Sequence, residues 1–189
     1  MKSALILSRA ATSIAVFAEL LQATSCSQIV TAKSCGEARR ILVERDFDLV
    51  IINAPLQDET GETLAREIAA HGASQVMLIV GREFFDEISN KTEGDGVLTV
   101  AKPLNKEVLW ATLKLAEAAY TRLSRMQEEN KKLVQKIEDI RIVDRAKCIL
   151  ISRLGICEEE AHRFIEKQAM DMRQTRRIVA EGILRTYEN

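Results

Sequence analysis

The residues at the ends of short apolar runs are the first candidates for chemistry in this sequence. These residues are Ser8, Arg9, Asn53, Val80 and Lys102, of which only Val80 is apolar. None is acidic, and the chain contains no nucleophile–base set, glycine-rich phosphate loop or metal-ligand cluster. We therefore expect neither an enzyme nor a protein that needs a metal or another cofactor.

A second polar set lies near the C-terminus and is mostly cationic. Its members are Arg145, Lys147, Arg173, Gln174, Thr175, Arg176 and Arg177. Cations beside hydrogen-bonding side chains, near the start of a helix, are suited to a phosphate-bearing partner. An alternative stays open, in which Arg173 only pairs with Asp171 or Glu160 and Thr175 is only a helix N-cap.

The overall charge and composition set limits on the class of protein. The formal net charge is -1, which divides into -4 for residues 1–119 and +3 for residues 120–189. A mildly basic C-terminal third permits a polyanionic partner without requiring one. The 47% of apolar and 29% of charged residues are typical of a globular protein.

The cysteines and the start of the chain favour a cytoplasmic protein. The four cysteines form no C-x-x-C pair, and two histidines add little to a zinc site, so we expect free thiols. Arg9 and Glu19 interrupt the apolar run that a secretory leader needs. No stretch approaches the ~20 apolar residues of a membrane span.

Apolar runs and amphipathic segments alternate through the first hundred residues. Strands are predicted at 4–7, 29–30, 48–53, 76–80 and 97–101, with helices near 12–23, from Ser34, near 60–71 and near 83–90. Strands that alternate with helices predict an α/β fold, a five-stranded parallel sheet with helices on both faces. In such sheets functional residues collect at the carboxyl ends of the strands.

A long helix is predicted after Pro103, because residues 105–153 contain neither glycine nor proline. Apolar residues repeat there at the a and d positions of a heptad from Ala116 and Ala119 onward. The dimer seam comprises Leu123, Met126, Asn130, Leu133, Ile137 and Ile140. Asparagine at an a position favours two strands, so we expect a homodimer through a coiled coil of open orientation. The alternative is one amphipathic helix lying on the α/β domain, which the first heptad fits.

Two short helices are predicted after Gly155. The first begins near Cys157, and its apolar face, including Phe164, is expected to be core. A break at 171–175 precedes the last helix.

Segment 1–118 resembles the receiver domain of two-component response regulators. The matching residues are Asp48-Leu49-Val50-Ile51-Ile52-Asn53, Pro55, Gly61 and the pair Lys102-Pro103. The resemblance implies a flavodoxin-like fold and a phosphorylation site. It places Asn53 where the receiver nucleophile is an aspartate, Ser8-Arg9 in place of its Mg²⁺-binding acidic pair, and Val80 in place of its hydroxyl residue. Only Lys102 is retained, so the domain is expected to be a pseudo-receiver that is not phosphorylated. It is expected to serve instead as a scaffold that docks regulatory proteins or supports the dimer.

Two further residues bear on this pseudo-receiver. Asp58 is a possible substitute acceptor, although a turn or capping role is favoured. Lys102 is expected to bond a backbone carbonyl or Asn53.

Segment 141–188 resembles the ANTAR domain of transcription antitermination regulators. The matching residues are Ala146-Lys147, Ile149-Leu150-Ile151, Glu158-Glu159-Glu160-Ala161, Phe164, Ala169-Met170-Asp171, Arg173, Thr175, Val179-Ala180 and Ile183. Cys157 and Cys148 depart from the pattern, which has a serine or threonine cap and often a glycine there. The resemblance implies a three-helix RNA-binding domain that works as a dimer on paired stem-loops in nascent transcripts.

The sequence therefore predicts a pseudo-receiver at 1–118, a coiled-coil linker at 119–140 and an ANTAR-like RNA-binding domain at 141–189. The predicted function is antitermination by a dimer bound to hairpins in nascent transcripts. A DNA-binding response regulator and a protein-interaction adaptor without nucleic-acid binding are the alternatives.

Overall fold

The computed structural model describes residues 1–24, 26–71 and 74–187, which divide into two compact units. Unit 1 is Met1–Arg125 and unit 2 is Met126–Asn189. No helix in these described ranges is long and apolar enough to cross a membrane.

Unit 1 is built on a parallel sheet of five strands in the order β2-β1-β3-β4-β5. The strands are β1 (Ser3–Leu7), β2 (Gln28–Ala32), β3 (Leu49–Asn53), β4 (Gln75–Val80) and β5 (Leu98–Ala101). β1 pairs with both β2 and β3, so the strand order reverses beside it. The predicted fold class is confirmed. A crevice at such a reversal is where α/β sheets bind ligands.

Both faces of the sheet are buried by helices. These are α1 (Ala11–Ala23), α2 (Cys35–Glu44), α3 (Glu62–Ala70), α4 (Phe85–Thr92) and α5 (Lys106–Leu154). One face packs Leu5, Ile52 and Leu78 against α2, α3 and α4. The other packs Ile6 and Ile51 against α1 and the start of α5. Burial on both sides explains why the strands are nearly continuous apolar runs.

The first turns of α5 belong to this second core. Leu109, Leu113 and Ala116 of α5 are fully or almost fully buried against the sheet. The first heptad therefore packs on the α/β domain, as the alternative interpretation of that segment expected.

The backbone conformation at position 61, just before α3, requires a glycine. Its φ of +86° lies in the left-handed region. A Cβ there would lie 2.7 Å from Cγ2 of Ile52 on β3. Any side chain at this position would therefore strain the backbone and push on the core.

The predicted helix near 83–90 differs from the structure. A 3₁₀ turn at Arg82–Phe84 precedes α4, and another at Glu93–Asp95 follows it. The chain reverses towards β5 at Gly96, whose φ is +79°. Hydrophobic periodicity does not report such tight turns, because their side-chain spacing is close to that of an α-helix.

Unit 2 contains the rest of α5 with α6 (Glu158–Met172) and α7 (Arg176–Tyr187). Its small core includes Ala146 and Leu150 of α5, Ala161 and Ile165 of α6, and Ala180 of α7. Alanines in this core let the helices approach closely. The break predicted at 171–175 coincides with the turn between α6 and α7.

Asp48 ties three parts of unit 1 together. Its carboxylate accepts hydrogen bonds from the N–H groups of Lys2 and Ser3 and, at 2.6 Å, from the Tyr120 hydroxyl of α5. Burial acts to raise the pKa of Asp48, but these hydrogen bonds lower it overall. The ionised form is therefore the one that stabilises the fold.

We expect Asp48→Asn to reduce the free energy of unfolding by about 1–3 kcal/mol at neutral pH. Because the folded pKa is lowered, the stabilisation is present above the unfolded value of ~3.9 and is lost as pH falls through the folded pKa. Urea unfolding at neutral and acidic pH measures this. Asp46→Asn, at an exposed neighbour, is the matched control. A difference between wild type and Asp48→Asn that persists undiminished at acidic pH would contradict the assignment.

Candidate functional site

The polar residues at the carboxyl edge of the sheet meet around one cavity. Ser8, Arg9, Asn53 and Lys102 are among the residues that line this cavity, whose volume is about 420 Å³. The predicted convergence of strand ends is therefore present. Val80 is buried in the core at 1% exposure and does not line the cavity.

Hydrogen bonds fix the cavity's polar side chains. The Asn53 amide donates to the Oγ of buried Ser8 at 3.0 Å, and the N–H of Ala10 donates to the same oxygen at 3.2 Å. Lys102 Nζ donates to the Ala54 carbonyl at 2.5 Å. A backbone carbonyl is one of the two partners expected for Lys102. Hydrogen bonds of neutral groups and of one cation therefore hold the polar side chains of this cavity in place.

The charge at this edge is positive. Burial lowers the pKa of Lys102, the positive charge of Arg9 lowers it further, and Glu83 opposes both. Among the described residues, no group of three or more His, Cys, Asp or Glu side chains is placed to hold a metal ion.

Asp58 has a structural role. Its carboxylate accepts the N–H groups of Gly36 and Cys35, each at 2.9 Å, at the start of α2. These bonds lower the pKa of Asp58. The expected capping contact of Asp58 is present.

Two of the candidate cations in unit 2 are each held in two ion pairs. Lys147 Nζ lies 2.7 Å from Asp144 and 3.2 Å from Glu158, and its side chain is 14% exposed. Arg177 contacts Asp139 at 2.7 Å and Glu181 at 2.9 Å. The Asp144 and Asp139 hydrogen bonds raise the pKa of Lys147 and Arg177 respectively. Lys147 thus links α5 to α6, and Arg177 links α7 to α5.

The other candidates are more accessible. Arg145, Arg173, Gln174, Thr175 and Arg176 are all exposed. Arg173 ends α6 in the left-handed region with φ of +53°, and the structure gives it no ion pair within the described residues. Arg176 lies 3.1 Å from Glu166 but keeps 57% exposure. Thr175 Oγ1 accepts the Ile178 N–H at 3.3 Å, so Thr175 caps α7.

An apolar groove beside these residues was missed from the sequence. A cavity of about 490 Å³ is lined by Phe164, Gln174, Ile178 and Tyr187, among others. Phe164 is 41% exposed, so its assignment to the core is wrong. The spacing gave no warning, because Phe164 follows Ala161 by three residues, as a member of the buried face of Ala161, Ile165 and Ala169 would.

The predicted dimer seam is exposed in the single chain. Leu123 is 36% exposed, and the other apolar members, Met126, Leu133, Ile137 and Ile140, are 52–60% exposed. Asn130 is exposed as well. Contiguous exposed apolar residues of this kind are typical of an interaction surface.

Residues 131–184 match the family model described as the ANTAR domain. The match covers the second half of α5 and all but the end of α7. Most of unit 2 is therefore similar to the ANTAR domain.

Curated relatives match across both units. The transcriptional regulatory protein PdtaR of two Mycobacterium tuberculosis strains is 25% identical over 169 residues. The alignment covers 89% of this chain and 82% of that protein.

Solved structures share the fold of unit 1. A response regulator receiver domain protein of Clostridium thermocellum has a TM-score of 0.56 at 21% identity, covering 65% of this chain and 99% of that one. A receiver domain of Methylobacillus flagellatus gives 0.52 at 22%, covering 61% and 98%. A two-component response regulator of Clostridium difficile gives 0.53 at 22%, covering 62% and 97%. Unit 1 has the receiver fold.

Proposed function

We propose that this protein is a dimeric, RNA-binding transcription antitermination regulator whose receiver domain is not phosphorylated. The observation that carries the proposal is the match of residues 131–184 to the ANTAR domain, with exposed arginines at the α6–α7 turn. Such a regulator acts in the cytoplasm on hairpins of nascent transcripts. The division into 1–118, 119–140 and 141–189 belongs to this proposal.

The α6–α7 turn has the charge that an RNA backbone requires. Arg173 and Arg176 flank the N-terminus of α7, whose first turn contains no acidic residue. The unpaired N–H groups and the positive end of a helix both favour phosphate. Gln174, between the two arginines, supplies an amide for base edges. Lys147, Arg177 and Arg145 then position this surface or extend it.

The adjacent groove suits an unstacked loop base. Single-stranded RNA is read by stacking bases on aromatic rings and by hydrogen bonds to their edges. The exposed Phe164 ring, with Ile178 beside it and Gln174 at the groove, offers both. Arginines that hold phosphates around such a groove would position a hairpin loop over it.

The apolar stripe on α5 supports a homodimer. Its exposed leucine, isoleucine and methionine side chains lose contact with water when a second copy of the helix pairs with them. Asn130 at an a position costs stability but favours two strands in register. A dimer presents two RNA-binding surfaces, which is what paired stem-loops require.

The carboxyl edge of unit 1 lacks the groups of phosphoryl transfer. An amide, Asn53, occupies the end of β3, and its nitrogen is committed to Ser8. Arg9 places a positive charge where Mg²⁺ needs carboxylates. We infer that unit 1 receives its input by contact with a regulatory protein.

Replacing Arg173 and Arg176 together by alanine should weaken binding of a two-hairpin RNA by about tenfold or more. It should also reduce the slope of log K against log salt by roughly one to two, because each lost phosphate contact contributes about 0.7. Filter binding across a salt series measures both quantities. Lys136→Ala, an exposed cation elsewhere in unit 2, is the control.

Phe164→Leu separates stacking from charge in the same assay. Loss of the ring should lower RNA affinity, since stacking contributes about 1–3 kcal/mol per base, and leave the salt slope unchanged. Duplex DNA that competes as well as the hairpins would favour a DNA-binding regulator. An RNA affinity unchanged in the double arginine variant would favour a protein adaptor.

Leu133→Glu with Ile137→Glu should convert the dimer to single chains, because four like charges would face each other across the seam. Light scattering at a series of concentrations gives the solution mass. Lys131→Glu, at a b position of the same heptads, should leave the dimer intact. Single chains for the wild type at high concentration would refute the dimer.

Incubation with acetyl phosphate and Mg²⁺ should leave the intact mass of the chain unchanged. Asn53 has no anionic oxygen to attack a phosphoryl group, and the Asp58 carboxylate is held by two backbone N–H groups. Intact-mass spectrometry measures the result. A phosphoryl group mapped to Asp58 would show that unit 1 still works as a phosphate switch.

A further inference from the structure

The cavity at the carboxyl edge of the sheet in unit 1 is lined by cationic side chains, whereas a metal site is lined by acidic ones. Its polar lining comes from Ser8, Arg9, Ser13, Asn53 and Lys102, and none of the described residues that line it is acidic. Two of these side chains are cations and the others offer hydroxyl or amide groups. A cavity with such a lining attracts an anion.

The start of α1 adds backbone donors on the same side. Ala10 is its N-cap, has extended backbone angles and gives no side-chain cap, and the first turn holds no acidic residue. Ala10 and Ser13 both line the cavity. The first N–H groups of a helix have no partner within the helix, and the helix end carries partial positive charge. Arg9 and Lys102 line the same cavity.

The two cations are close enough to affect each other. Burial lowers the pKa of Lys102, and the neighbouring charge of Arg9 lowers it further, while Glu83 acts in the other direction. Arg9 is exposed, and the described part of the chain provides it with no ion pair. A dianion between Arg9 and Lys102 would relieve their repulsion and use both as donors.

We propose that this cavity is a binding site for a phosphate-type oxyanion, either free phosphate or the phosphate of a small monoester. Arg9 supplies a planar pair of donors, Lys102 a point charge, and α1 its first N–H groups. The Asn53 amide lies at the floor of the site beside Ser8. Binding is non-covalent, because no nucleophile is available. The site is separate from the RNA-binding surface proposed for unit 2 and does not depend on it.

Isothermal titration of the full-length protein with inorganic phosphate, at constant ionic strength, tests the site. We expect saturable binding of one phosphate per chain. Arg9→Glu should weaken it by about tenfold or more, because a charged hydrogen-bond donor becomes a repelling carboxylate. Arg40→Glu is the matched control, since Arg40 is exposed and does not line the cavity. Its affinity for phosphate should equal that of the wild type.

Asn53→Asp provides a second variant of nearly unchanged shape. The added carboxylate should weaken phosphate binding without lowering the thermal unfolding temperature beyond that of Arg40→Glu. Methyl phosphate, titrated in parallel, distinguishes the two sources, because tighter binding than inorganic phosphate identifies a monoester ligand. Acetate should bind more weakly than either.

Three results would overturn the proposal. One is the absence of saturable phosphate binding up to roughly 10 mM, well beyond the millimolar range of a weak specific site. Another is equal affinity in the wild type and Arg9→Glu. The third is acetate binding as tight as that of phosphate.

Discussion

The sheet of unit 1 must be covered on both faces, and this constraint explains why helices follow its strands and why the first turns of α5 are apolar. Parallel strands without a polar face cannot lie against water, so each crossover helix is bound to one side or the other. The last covering helix, α5, places Leu109, Leu113 and Ala116 on the sheet. In unit 2 the apolar repeat of α5 continues, and Leu133 and Ile137 are more than half exposed. The same heptad pattern therefore supplies buried core residues in unit 1 and an exposed apolar stripe in unit 2.

The apolar runs of the sequence were sufficient for the fold because the three central strands are almost wholly buried. The run from Leu49 to Ile52 is wholly buried, and such a run has few alternatives to a central strand. The ends of α4 were less predictable, since its 3₁₀ turns differ from a helix in hydrogen bonding rather than in side-chain spacing. Local residue types also indicated the cap of α2, where the Ser34 hydroxyl accepts the Glu37 N–H.

The candidate sites were predictable in residue type but not in the partner of each side chain. Arg177 pairs with Asp139, which is 38 positions away in the sequence, and no local pattern indicates such a contact. Lys147 is likewise held by Glu158 of another helix. Only the packed structure shows that Lys147 and Arg177 link helices of unit 2, whereas the Arg173 side chain is exposed to solvent. Phe164 was misassigned for a related reason, because four alanines, two isoleucines, a leucine and a valine fill the small core of unit 2 without it.

The two units share one feature, a helix N-terminus with cationic side chains near it. In unit 1, an N–H-bearing helix start lies beside Arg9 and Lys102, and in unit 2 another lies beside Arg173 and Arg176. In both, the absence of acid from the first helical turn leaves the positive helix end uncompensated. The proposed pseudo-receiver would therefore differ from a working receiver by more than a loss of metal ligands. Where Arg9 stands in place of an acidic residue, the cationic lining of the cavity would favour an anion, which is the basis of the proposed oxyanion site.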